Sequence, residues 1–120
     1  MDRVRWIEHK GKRILFEDFS GLQDQKEIFL VTDTSTALIC KQPEKSVLLL
    51  TDVTNAHYNP SIIKRLKDNS KLTVPYMKAY VVVGIKGVTL VILESFVAFT
   101  GLDVKLCSTV EEGQEWLCRQ

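Results

Sequence analysis

Several ordinary sequence signals are scarce in this chain, and each scarcity excludes a class of protein. Cys40, Cys107 and Cys118 form an odd set of three with no C-x-x-C pair, so neither a disulfide framework nor a zinc motif is indicated. Charge of one sign is not in excess: 16 Lys+Arg face 15 Asp+Glu, a formal net charge of +1. That balance argues against a dedicated nucleic-acid binder, which carries a basic surplus. The longest apolar run, Val88 to Phe99, is broken by Thr89, Glu94 and Ser95 and is too short to span a bilayer. Met1-Asp2-Arg3-Val4-Arg5-Trp6 lacks the apolar core of a signal peptide. A G-x-S-x-G elbow is missing, and the two histidines, His9 and His57, lie in distant segments, so the catalytic inventory is poor. No cofactor motif stands out, and the expectation is a non-enzyme. What remains is a chain of 120 residues, 45% hydrophobic and 26% charged, the composition of one soluble globular domain over residues 1–120. A cytoplasmic protein, at most peripheral at a membrane, is expected.

Apolar periodicity gives the order of elements. Val4–Glu8 and Arg13–Glu17 read as two strands joined by His9-Lys10-Gly11-Lys12, a hairpin with glycine in the turn. Ser20 and Gln23 have capping-box spacing, and Ile28, Val31, Ser35, Leu38 and Ile39 recur at helical spacing. A helix over residues 22–41 is predicted, ended by Pro43. Ser46–Thr51 is a continuous apolar run of the kind that forms a strand covered on both faces. Asn59-Pro60 then supplies an N-cap and a first-turn proline for a helix from Pro60 to about Leu72. Ala79–Val83 is a further buried strand, Val88–Thr100 an apolar helix closed by Gly101, and Val104–Cys107 a last strand. Ser108 and Glu111 again have capping-box spacing before a helix ending near Trp116-Leu117. The order ββαβαβαβα predicts an α/β fold, a five-stranded mixed sheet with four helices. The first strand pairs by hairpin and the others run parallel through right-handed crossovers.

Ligands of open α/β sheets settle outside the carboxyl ends of the strands. Two connections there carry candidate binding groups. The loop Thr51–Asn59 offers Asp52, Thr54 and His57, which either bind a polar ligand or fix their own loop. Gly84-Ile85-Lys86-Gly87 offers Lys86 and the amides of Gly87 at a helix start, an anion site if it is more than a turn. The helix 88–100 is apolar nearly all round, so Leu90, Leu93, Phe96 and Val97 are candidates for a contact with a partner, a lipid or a second copy. A homodimer through that helix is one expectation.

Longer blocks carry a resemblance. Trp6–Leu15, Lys41–Leu48, Thr51-Asp52-Val53-Thr54, Pro75–Ala79, Val83-Gly84 and Phe99-Thr100-Gly101, with Thr109–Glu112 and Trp116-Leu117 at the end, resemble the SpoIIAA-like (STAS-type) small proteins. The resemblance implies a mixed sheet with packed helices, related to anti-sigma-factor antagonists and more distantly to CRAL-TRIO lipid-transfer domains. The antagonists carry a phosphorylatable serine in a D-S-S-G-like motif where this chain reads Asp52-Val53-Thr54-Asn55. The motif is missing here, and only Thr54 and Ser61 offer hydroxyls nearby. The expected function is therefore a non-enzymatic regulatory or interaction domain that binds a protein partner, with a small ligand at the strand ends. The alternative is a lipid-binding or membrane-associating domain that uses the segment 88–100.

Overall fold

The computed structural model describes residues 2–86 and 104–120. Its elements, in chain order, are β1 (Val4–His9), β2 (Lys12–Asp18), α1 (Gln25–Ile39), β3 (Val47–Asp52), α2 (Pro60–Thr73), β4 (Met77–Val83), β5 (Lys105–Cys107) and α3 (Val110–Cys118). The five strands form one sheet in the order β1-β2-β3-β4-β5. β1 and β2 are antiparallel, and β2, β3, β4 and β5 are mutually parallel. The α/β class and the mixed five-stranded sheet are as expected from the sequence. Three α-helices are described rather than four; the fourth, expected over Val88–Thr100, lies outside the described residues.

Side-chain alternation along the strands splits the core into two layers. Leu15 and Leu49 face α1 and α2, where they pack with Ile28, Val31, Ile39 and Ile62. Ile14, Phe16, Leu48, Leu50, Val81 and Val83 face the other way and pack around Leu117 of α3. Strands covered on both faces need apolar residues at consecutive positions, which is why Val47–Leu50 reads as an unbroken run. Helix α3 comes very close to the sheet. A Cβ added at Gly113 would lie 2.7 Å from Leu50 Cδ1 and 3.0 Å from Val81 Cγ1.

Local chemistry corrects several boundaries. The hairpin turn is only Lys10-Gly11, both at positive φ (50° and 79°), so the strands reach one residue further on each side than the sequence implied. Helix α1 starts later than residue 22, because its N-cap is Asp24, whose carboxylate accepts from Lys26 N. Ser20 is not the cap. Its hydroxyl and its amide both donate to Asp18 Oδ1, at 2.6 and 2.9 Å. In the last helix the cap is Thr109 rather than Ser108, with its hydroxyl accepting from Glu112 N. The Asn59 cap of α2 stands as predicted, its side chain accepting from Ile62 N at 2.8 Å. β4 begins two residues before Ala79, after a 3-10 turn over Val74–Tyr76. Threonines inside α1 satisfy themselves by back-bonding: Thr32 Oγ1 donates to Ile28 O and Thr36 Oγ1 to Thr32 O.

Candidate functional site

Beyond the carboxyl ends of β2 and β3, the chain makes the same turn twice. After β2, Ser20 closes onto Asp18; after β3, Thr54 closes onto Asp52, with its amide and hydroxyl donating to Oδ1 at 3.0 and 2.6 Å. The residue after each hydroxyl, Gly21 or Asn55, has positive φ (68° and 57°). Asp18 and Asp52 are register partners, and parallel pairing continues through both turns. Phe19 N donates to Asp52 O, Gly21 N to Thr54 O, and Val53 N to Val83 O, all within 2.9 Å. The turns point Phe19 inward and bring Val53 against the core. Gly84, at φ +85°, completes the row; a Cβ there would collide with the Thr54 side chain and backbone.

Of the residues the sequence singles out here, Asp52 and Thr54 are thus engaged with each other. His57 is exposed, anchored by its amide to Leu22 O at 2.8 Å, and forms no bond to Asp52. Lys86 is exposed at the end of the β4 connection. Ser61 is exposed in the first turn of α2. Gly87, Leu90, Leu93, Phe96 and Val97 lie outside the described residues.

Behind this rim is a cavity of about 80 Å³. It is bounded by the ends of β2, β3 and β4, by Ile62 and Leu66 of α2, and by the loop carrying Val53, His57 and Tyr58. Water-sized voids need roughly 10–15 Å³ each, so several waters or one small molecule fit. Most of its wall is apolar, but its floor is not. Glu17, Thr51 and Tyr80 stand on three adjacent strands, and Thr51 Oγ1 lies 2.8 Å from Glu17 Oε1 and 3.2 Å from the Tyr80 hydroxyl. One threonine hydroxyl thereby links a carboxyl to a phenol. A second cavity of about 60 Å³, between α1, α2 and the sheet, meets the first at Glu17, Leu66 and Tyr80. Ser35 of α1 lines it. Among the described residues its buried hydroxyl has no partner in hydrogen-bonding geometry, though it stands near enough to favour an ionised Glu17.

Burial dominates the electrostatics. Loss of water raises the Glu17 carboxyl above its usual value, opposed by the neighbouring Ser35 and Thr51 hydroxyls. Burial likewise pushes the Tyr58 phenol up to about 12. Tyr80 is driven upward by burial first and then by the neighbouring Glu17. At neutral pH both phenols are therefore hydrogen-bond donors. The floor presents donors and acceptors, but no nucleophile poised against a base.

The sequence reading missed Glu17 and Tyr80. The signal was available, because Leu15 faces the core and the side-chain period of two puts Glu17 on the same face. Several basic side chains are engaged within the protein. Arg13 stacks on Trp6 at 3.7 Å and Arg65 on Phe29 at 4.3 Å. Arg65 also pairs with Asp33 at 2.7 Å, and Lys64 with Asp68 at 2.8 Å. Among the described residues no helix is long and apolar enough to cross a membrane. Comparison of the chain with family models, with curated proteins and with solved structures returned no match.

Proposed function

We propose that this protein is a non-catalytic binding module of SpoIIAA-like type. It takes a small, largely apolar molecule at the strand carboxyl ends and presents the surrounding loops to a protein partner. The observation that carries this reading is the cavity floor. A carboxyl, a hydroxyl and a phenol lie in an otherwise apolar wall, where open α/β sheets hold their ligands. The order of elements and the blocks that resemble the SpoIIAA-like proteins support the family reading. The ligand's polar group sits against Glu17, Thr51 and Tyr80, and its apolar body lies against Ile62, Leu66 and Val82. The paired turns at Asp18 and Asp52 fix the rim, so a ligand that shifts Val53 or Tyr58 also shifts the exposed face around Asn55 and His57. The apolar segment with Leu90, Leu93, Phe96 and Val97 is a second proposed contact, for the partner or for a second copy.

A fragment library screened by amide NMR tests the ligand site. Hits are expected to perturb Val53, Tyr58 and Val82, and to weaken in Tyr80→Phe and in the cavity-filling Val82→Phe. A library without such hits, or hits indifferent to both variants, overturns the reading. Light scattering tests self-association: a mass near 13.7 kDa at micromolar concentration excludes the homodimer. If the segment binds a partner, Leu93→Asp and Phe96→Asp, checked for folding by circular dichroism, are expected to lose that partner in a pull-down from native lysate.

A further inference from the structure

A second cluster lies on the opposite side of the sheet, where the end of β1 meets the last helix. His9, Glu115 and Cys118 each offer a donor atom there, and the three atoms lie within 4.8 Å of one another. His9 Nε2 is 2.8 Å from Glu115 Oε1. Glu115 and Cys118 stand one turn apart on α3, so both side chains leave the same side of the helix. His9 is the last residue of β1, paired with Lys12 across the Lys10-Gly11 turn. All three residues are partly exposed rather than sealed, so an ion reaches the cluster without the core opening.

We propose that His9, Glu115 and Cys118 form a binding site for a divalent transition-metal cation of the zinc class. Imidazole, carboxylate and thiolate together are the donor set of a borderline-soft ion; calcium and magnesium take oxygen donors instead. Three protein ligands leave a fourth tetrahedral position for water. Bond lengths of about 2.0–2.3 Å place donors roughly 3.5 Å apart around such an ion, so separations of up to 4.8 Å must shorten while the 2.8 Å His9–Glu115 contact opens, both within the reach of side-chain rotation. On binding, the Cys118 thiol gives its proton to solvent. The 3.1 Å hydrogen bond from Sγ to Glu115 O is released.

Lys10 makes the site adjustable. Its ammonium sits 2.8 Å from Glu115 Oε1 and 2.9 Å from Oε2, and an incoming cation must displace it. The ligands come from both ends of the chain, 106 residues apart. Metal binding therefore ties the edge strand β1 to α3 and raises thermal stability through linkage.

Cobalt(II) titration of the whole, reduced protein tests the proposal, with zinc competition giving the affinity. One equivalent is expected, with a near-ultraviolet thiolate-to-cobalt charge-transfer band and an upward shift of Tm. Cys118→Ser is expected to abolish the band, and His9→Gln to weaken binding at least tenfold. Cys40→Ser, which alters a thiol elsewhere in the fold, is expected to leave both unchanged. Lys10→Met removes the competing ammonium and is expected to tighten binding several-fold, a gain that misfolding cannot mimic. The proposal is overturned if the band is absent, if it persists in Cys118→Ser, or if Lys10→Met binds no more tightly than the parent.

Discussion

Replacing Glu17 with glutamine removes a charge from the core while keeping the side chain's shape and an acceptor for Thr51. The carboxyl is 8% exposed as a residue, and no ion pair among the described residues offsets its burial. Dehydrating an ion costs several kcal/mol even after relaxation. Its bond with Thr51 Oγ1 at 2.8 Å returns about 1.5–3 kcal/mol in its charge-assisted form and about 1 kcal/mol when neutral. The balance favours the amide by roughly 1–2 kcal/mol at neutral pH. For a chain of this size that is about 3–6 °C in Tm per kcal/mol.

The pH dependence gives the sharper test. Glu17 has a folded pKa raised above its ordinary value of 4.5 by burial. Below that value both folded and unfolded chains hold the proton, and the full stability is present. As pH rises past 4.5 the unfolded chain releases the proton first, so stability falls until the folded pKa is passed, then levels. Glu17→Gln lacks this slope, and its advantage should open across that window. Urea denaturation of both proteins across the acid-to-neutral range measures the difference, and every other carboxylate cancels. A glutamine variant less stable than its parent at neutral pH, or a gap independent of pH, refutes the reasoning. Hits from the fragment screen should bind the same variant more weakly, so stability and binding are expected to move in opposite directions.

The other substitutions probe how the site is held. Gly84→Ala places a Cβ at φ +85° against Thr54 and is expected to cost about 2 kcal/mol or more, with amide shifts confined to residues 53–58 and the end of β4. Asn59→Ala deletes the cap of α2, whose side chain also donates to Gln25, and should lower stability by about 1 kcal/mol by urea titration. Leu50→Ala empties a fully buried position beneath α3 and should cost about 2–5 kcal/mol. Leu30→Ala, at a residue 55% exposed, should stay within about 0.5 kcal/mol in the same assay.

The architecture was legible because strand and helix periods are strong signals. Val47–Leu50 could only be a strand covered twice, and Asn59-Pro60 could only open a helix. Boundaries slipped where more than one side chain was able to cap a helix. Ser20 and Ser108 have capping spacing, yet Ser20 is taken by Asp18 and the cap falls to Asp24, while Thr109 sits one residue nearer the last helix. The Asp52–Thr54 pair was visible as a polar loop. Its twin at Asp18–Ser20 is hidden, because the capping-box spacing of Ser20 points to a helix start instead.

The floor of the cavity was harder to see, and the reason is geometric. Glu17, Thr51 and Tyr80 are separated along the chain by more than a helix each, and only strand register brings them side by side: Glu17 pairs with Thr51 of β3, Thr51 pairs with Val82 of β4, and Tyr80 stands two residues before Val82 on the same face. None belongs to a motif. Each also stands on a strand whose neighbouring inward residues, Leu15, Leu49 and Val82, are apolar. A core needing only to pack would place aliphatic side chains at these three positions as well and avoid the dehydration of a carboxyl. Retaining that carboxyl beneath an open cavity, without a cation beside it among the described residues, leaves its unmet attraction for a polar group available to whatever enters. That residual attraction, more than the polar loop above it, is the physical basis for the binding proposed at this end of the sheet.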